Sequence, residues 1–324
     1  MSCILEIREL SVAYHTEDGT VYALNDIDLE LGDGETLGLV GETGAGKTTL
    51  AKSIMRLLPV PPAKVEHGEI LYSGQDLTKI SEEDIRAVRG NKISMIFQDP
   101  MSALNPVLTV GKKIQEAILA HQKISENEAW EKSLEMLETV GIMGNRAYDY
   151  PHQFSGGMKQ RVVIAIALAC NPKILLADEP TTALDVTIQA QVLAMMKGLK
   201  EKFNTATILI THDLGIVAQM CEKVAIIYAG EIVESGDVRD IFKRTAHPYT
   251  KGLLEAIPSI YADTKRLKPI NGLMPDPMTR PAGCAFAERC QYCDDGCLHT
   301  RPAIQPIGGI HKVRCLKPLY KALS

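Results

Sequence analysis

Residues 41–49, GETGAGKTT, combine three glycines with a lysine and three threonine hydroxyls. Gly41, Gly44 and Gly46, with the small Ala45 between them, let backbone N–H groups turn inward around an anion. A helix starting at Lys47 adds its positive end to the same place. In the spacing Gly41-x-x-x-x-Gly46-Lys47-Thr48 the lysine reaches the outer phosphates of a nucleotide. The Thr48 hydroxyl ligates Mg2+, with Thr49 beside it. The run KILLADE (173–179) supplies carboxylates. Its apolar residues read as a buried strand, and Asp178 and Glu179 stand at the carboxyl end, where open α/β sheets bind ligands. Asp178 is suited to hold Mg2+ through water, and Glu179 to orient or deprotonate an attacking water. Adjacent acids alone would mean a solvated strand end; the phosphate loop in the same chain gives them a use. His212 in ILITHDLG (208–215) also follows an apolar strand. It reads as a contact to a terminal phosphate, against the alternative of a helix N-terminal residue without chemistry.

A second chemical grouping lies at the other end. Cys3, Cys170 and Cys221 are scattered, whereas Cys284, Cys290, Cys293, Cys297 and Cys315 crowd into the last 41 residues. In a reducing compartment such crowding points to metal rather than disulfides. A segment with so few core residues needs a staple, and thiolates on a metal provide one. Spacing alone leaves Zn2+ and an iron–sulfur cluster open, because zinc ribbons show two close C-x-x-C pairs and only Cys290 and Cys293 form one here.

The elements that must position these groups can be read from periodicity. ILEIRELSVAY and TVYALNDIDLEL alternate as a strand hairpin. ETLGLVG is a strand entering the glycine loop, and KTTLAKSIMRLL is the helix after it, the context a phosphate loop requires. GKKIQEAILAHQKI and ENEAWEKSLEMLETVGI have helical spacing. KILLADE, ATILIT and KVAIIYAG are short aliphatic runs, as in a buried parallel sheet. Prolines and glycines thicken after residue 257 into an irregular linker. The chain's 324 residues suffice for one large or two modest domains. A net charge of −5 and 5% aromatic residues argue against a nucleic-acid partner. No apolar run is long enough to span a membrane, and Glu6, Arg8 and Glu9 interrupt any secretory signal, so a cytoplasmic location is expected. From Arg280 onward seven Lys/Arg face three Asp/Glu, a net of +4. That surplus would offset thiolate charge, with Arg289 and Arg314 in view, or meet an acidic partner.

FSGGMKQR (154–161) brings these pieces to a family: it resembles the signature motif of ATP-binding-cassette (ABC) ATPases. TTALD (181–185) is similar to the family's D-loop, and IFQDP places Gln98 at the Q-loop glutamine. Tyr14 falls where an aromatic ring stacks on adenine. The resemblance covers about residues 3–240. Met158 and Phe154 depart mildly from the usual signature, whereas Ser155, Gly156 and Gly157, the phosphate-contacting residues, are kept. The resemblance implies an α/β fold, a P-loop RecA-like core with an antiparallel β subdomain and a helical subdomain at about 99–165. The nucleotide-binding domain would span 1–240, and 241–324 would add a small Cys-rich domain. It further implies an ATPase with ATP and Mg2+, catalytic Glu179, His212 and Gln98, Gln98 also on Mg2+, and Asp185 in the D-loop. Two cassettes would close head to tail, Ser155 and Gly157 of one meeting the γ-phosphate held by the other.

FQDPMSALNPVLTVGKKIQEAI, AHPYTKGLLEAIP and GCAFAERC resemble the ATP-binding subunits of dipeptide and oligopeptide importers, a branch that includes nickel importers. This implies a second ATPase subunit, identical or similar, two transmembrane permease subunits, an extracytoplasmic binding protein acting indirectly, and a peripheral position on the cytoplasmic face of the membrane. The same branch implies a [4Fe–4S] cluster on Cys284, Cys290, Cys297 and Cys315, zinc being the alternative, and leaves Cys293 as an extra thiol. A soluble ABC ATPase on ribosomes or DNA, or one gated by a redox cluster, is the competing class.

Overall fold

The computed structural model describes residues 3–99, 103–182, 184–256 and 269–320. The start of the expected helical region (residues 100–102) and part of the proline-rich linker (257–268) lie outside them. In chain order, β1 (Cys3–Thr16), β2 (Gly19–Gly32) and β3 (Thr36–Val40) precede α1 (Lys47–Ile54). Then come β4 (Ala63–Tyr72), β5 (Gln75–Asp76), α2 (Glu82–Val88) and β6 (Ile93–Ile96). The middle is helical: α3 (Val110–Leu119), α4 (Glu126–Thr139) and α5 (Gly156–Leu168). Next are β7 (Ile174–Asp178), α6 (Val186–Phe203), β8 (Ala206–Thr211), α7 (Leu214–Met220), β9 (Lys223–Tyr228) and β10 (Glu231–Asp237). The rest comprises α8 (Val238–Lys243), α9 (Pro248–Glu255), α10 (Asp295–His299), β11 (Gln305–Gly308) and β12 (His311–Val313).

Two compact units divide the chain. One gathers Cys3–Glu30, Leu37–Thr78 and Thr211–Ser324; the other contains Leu31–Thr36 and Lys79–Ile210. In the first, β1 and β2 pair as the alternation requires, in an antiparallel sheet of order β2-β1-β4-β5. β4 runs from Leu5↔Tyr72 to Tyr14↔Ala63 along β1, with irregularities between Arg8 and Val12. A second sheet of this unit has the order β11-β12-β10-β9-β3. β3 lies parallel to β9, and β10 turns back antiparallel to it. Residues 36–40 and 224–228 are buried without alternation, the pattern of strands covered on both faces.

The tail enters this unit, keeping only a small apolar cluster of its own: Ala246, Ile307, Val313 and Cys315 with Tyr320. β12 adds to β10 (Glu234↔Val313), and Phe286 sits in one apolar cluster with Val40, Ile226, Tyr228, Val233 and Tyr249. A segment with so few apolar residues gains burial by joining a larger core. Its cations are used here too. Arg301 bonds Asp26 and Glu231, and Arg289 bonds Glu42. Arg314 donates to the carbonyls of Ile232 and Pro302. Arg289 and Arg314, in view as offsetting thiolate charge, thus also have bonds within the fold. Fully buried Glu234 is met by His311 Nε2 at 2.8 Å and by the N–H groups of Ala246 and His247.

In the second unit β6, β7 and β8 run parallel in register, Ile93↔Ile174 and Ile174↔Ala206 among the pairs. Its helices begin where the sequence offers caps: Ser81 accepts from Asp84 N, Ser125 from Glu128 N, and Asp185 from Ile188 N. α6 ends at Asn204 in the left-handed region. Helices α3, α4 and α5 pack on one another.

Candidate functional site: a phosphate loop, a carboxylate pair and a second helix start

Each unit carries part of the predicted chemistry. In the first, β3 delivers the chain into the loop at Gly41, where a Cβ would come 2.2 Å from the Ile227 carbonyl oxygen, so only glycine fits. Gly46, at φ 105°, caps α1. Ala45 is buried, and Gly44 is exposed to solvent. The buried Lys47 folds back, its Nζ donating to the carbonyls of Gly41 (2.7 Å) and Glu42 (2.9 Å). These are bonds an anion's oxygens can replace. Thr48 and Thr49 are half-buried in the first turn of α1. Tyr14 is half-buried on β1, in the same unit. His212 is exposed just past β8, and the next residue, Asp213, caps α7 by accepting from Gly215 and Ile216 N–H.

The second unit brings Gln98 and Glu179 together. Glu179 Oε2 accepts from Gln98 Nε2 at 3.1 Å and from Thr182 Oγ1 at 2.9 Å. Glu179 has φ 46°, a left-handed conformation unusual for a side-chain-bearing residue, and its N–H donates to the Ile210 carbonyl. Strain of this kind collects at functional sites. Asp178 is 2% exposed at the end of β7. Thr182 is a partner that sequence reasoning missed; its distance of three residues from Glu179 is the signal that could have found it.

The signature residues form a separate feature of this unit. Ser155 caps α5 by accepting from Met158 N, and Ser155 and Gly156 are exposed. A Cβ on Gly157 would lie 2.4 Å from Ile188 Cγ2 in α6, so glycine permits that close packing. Arg146 stacks 4.3 Å from the Phe154 ring and bonds Asp149, fixing the approach to the turn. Asp185, expected in the D-loop, caps α6.

In the tail, Cys284, Cys290, Cys297 and Cys315 line one small cavity with His247, Phe286 and Tyr292; Cys293 is not in its lining. Burial pushes the Cys284 thiol up to about 12 and raises Cys290 and Cys315 as well. His247 is 1% exposed. Its Nδ1 accepts from Tyr249 N at 3.0 Å, which places the proton on Nε2, and that N–H has no partner among the described residues. Desolvation holds the imidazole down at about 4, so it is neutral. Among the described residues no group of three or more His, Cys, Asp or Glu side chains is gathered for a single metal ion.

No helix among the described residues is long and apolar enough to cross a membrane. Residues 24–182 match the ABC transporter family, and residues 233–297 match the C-terminal region of oligopeptide/dipeptide transporters. The dipeptide transport ATP-binding protein DppD of Bacillus subtilis (strain 168) is 49% identical over 97% of this chain and 95% of its own length. The oligopeptide transport ATP-binding protein OppD of the same organism is 48% identical over 96% of this chain and 88% of its own. Among solved structures, the dimeric post-hydrolysis state of the ATP-binding cassette MJ0796, bound to ADP and Pi, superposes with a TM-score of 0.65 at 28% identity. It covers 72% of this chain and 99% of that one. With a phosphate loop, an acid-ended strand and a capped signature helix all in place, this chain belongs to the ABC transporter ATPases, as an ATP-hydrolysing transport subunit of the oligopeptide/dipeptide branch.

Proposed function

We propose that the chain powers import of dipeptides or oligopeptides through two transmembrane permease subunits, working peripherally on the cytoplasmic face of the membrane. The observation that carries this reading is the match of its cysteine-bearing tail to the peptide-transporter C-terminal region, beside full-length similarity to dipeptide and oligopeptide ATP-binding proteins. ATP's phosphates would lie in the loop of Gly41, Gly44, Ala45, Gly46, Lys47, Thr48 and Thr49, its adenine on Tyr14. Mg2+ would be held by Thr48, Gln98 and Asp178. Glu179 would take the water's proton, and its bond to Gln98 supports a role for that amide in aiming the carboxylate. His212 would meet the γ-phosphate. A second cassette, identical or similar, would supply Ser155, Gly156 and Gly157 across the dimer, with Asp185 near that contact. The exposed start of α5 supports this, because Ser155 and Gly156 lie at the surface, where a helix start can receive an anion. Glu179→Gln is expected to bind ATP and dimerise while hydrolysis falls at least about a hundredfold. Normal turnover in that variant removes Glu179 from the mechanism, and failure of the chain to co-purify with peptide permeases removes the transport reading.

Cys284, Cys290, Cys297 and Cys315 would hold a [4Fe–4S] cluster. Four thiols on one cavity are its ligand set, and the Nε2–H of His247 on the same wall, without an acceptor among the described residues, fits one supplied by a bound group. Zinc fits less well, since one ion needs its sulfurs within about 2.3 Å of a single point. Thiols raised by burial stay protonated until a cation enters, so loading would release protons. Once bound, a cluster supplies one-electron redox chemistry as well as a staple for the tail. Anaerobically purified protein is expected to contain iron and sulfide in equal amounts, lost in Cys284→Ser; stoichiometric zinc instead would overturn this assignment.

A further inference from the structure

The phosphate loop is held by the tail through one residue. Every polar group of Glu42 is engaged. Its N–H donates to Tyr249 Oη at 3.0 Å, its carbonyl accepts from Lys47 Nζ, and its carboxylate lies 3.0 Å from Arg289 Nη1. The Arg289 side chain is only 6% exposed. It also donates to the carbonyls of Ile270 and Asn271 and to Tyr228 Oη. Tyr249 is fully buried, its ring 4.6 Å from Tyr228 and 5.4 Å from Phe286. Both holding residues adjoin the cysteine cavity. Arg289 precedes Cys290, Tyr249 donates its N–H to cavity-lining His247, and Phe286 belongs to both the cavity wall and the aromatic cluster.

A carboxylate in a loop made to receive triphosphate opposes the ligand unless its charge is taken up. Arg289 takes up that charge and fixes its direction, and Tyr249 fixes the peptide plane beside it. We propose that Tyr249 and Arg289 are positioning residues that brace the phosphate loop through Glu42, so that nucleotide affinity depends on whether the cysteine cavity is filled. The dependence on filling rests on the iron–sulfur reading above; the brace itself does not.

The test is equilibrium titration of the full chain with a fluorescent ATP analogue and Mg2+, iron being counted on the same samples. Stripping iron from the loaded chain is expected to weaken binding about tenfold, and Glu42→Gln to shrink that difference below about twofold, since it cuts the ionic link. Tyr249→Phe keeps the ring and removes only the acceptor. It is expected to weaken binding about threefold and to raise KM for ATP more than it lowers kcat. A purely structural tyrosine would lower the thermal midpoint instead. If a chain that demonstrably carries iron binds nucleotide equally well after stripping, or if wild type and Glu42→Gln lose affinity equally, the coupling is overturned and the cluster assignment stands. If no iron is bound, the cluster assignment falls and Tyr249→Phe alone decides the brace; an unchanged dissociation constant overturns it.

Discussion

The phosphate loop and the signature turn are both glycine-bearing starts of helices, yet the protein treats them differently. Around the loop, Lys47, Tyr249, Arg289 and the Gly230 amide, which donates to Ala45, all bond its backbone or its one acid. At the turn, Ser155 serves only the first turn of its own helix, and the backbone beside it is exposed. Helix ends leave N–H groups unsatisfied, and a protein can either organise them in advance or leave them for a ligand to complete. The loop follows the first course and the turn the second. Preorganisation suits a site that captures nucleotide within one chain; an open helix start suits one completed by a second chain.

The comparison can be broken most severely at the loop. Lys47→Ala is expected to weaken ATP binding by about a hundredfold or more, as measured by calorimetry, because a buried cation proposed to meet the phosphates is lost. At the turn, Ser155→Ala should leave single-chain nucleotide affinity within about twofold while steady-state hydrolysis falls about tenfold. A matching loss of affinity would mean that the turn, like the loop, acts within its own chain. The smallest effect concerns the frame of the loop's unit. Burial pushes the Asp26 carboxyl upward, but hydrogen bonds from His67, Arg301 and Ser11 outweigh this and hold it at about 2. A depressed carboxylate contributes stability that is complete above about pH 4 and lost as pH falls toward 2. For this partly exposed group the contribution is about 1 kcal/mol after screening. Asp26→Asn should therefore flatten the acid limb of a urea-unfolding series by that amount; an unchanged limb removes Asp26 from the acid response.

The two regions were not equally legible. The loop's steric demand is local, so Gly41 to Thr48 announces itself in eight consecutive residues, and the aliphatic runs around Asp178 and His212 marked their strands through buried Ile and Leu. The partners that complete the sites are distant. Glu42 and Arg289 are 247 residues apart, and Gln98 and Glu179 are 81 apart. No spacing rule joins such pairs; only the resemblance put Gln98 in the site, and nothing marked Arg289's true partner. Cys290 and Cys293 look like a metal pair in sequence, yet only Cys290 lines the cavity. β4 was hidden by the charges and glycine of KVEHGEILY, and β6 by having only four residues. The hairpin of β11 and β12 lies in text rich in proline and glycine, and its pairing with β10 follows from Glu234 and His311 meeting in the interior.

The make-up of the two units bears on synthesis. Lys79–Ile210 is one continuous run, so nearly all of its unit has left the ribosome before the next segment is made. The strands carrying Tyr14 and the loop belong with Thr211–Ser324. β1 and β2 find their sheet partners β4 and β5 within the first 76 residues, whereas β3, which enters the loop, must wait with an open edge for β9 at 223–228. Any chaperone attending the nascent chain would have its longest task at β3 and the loop that follows it.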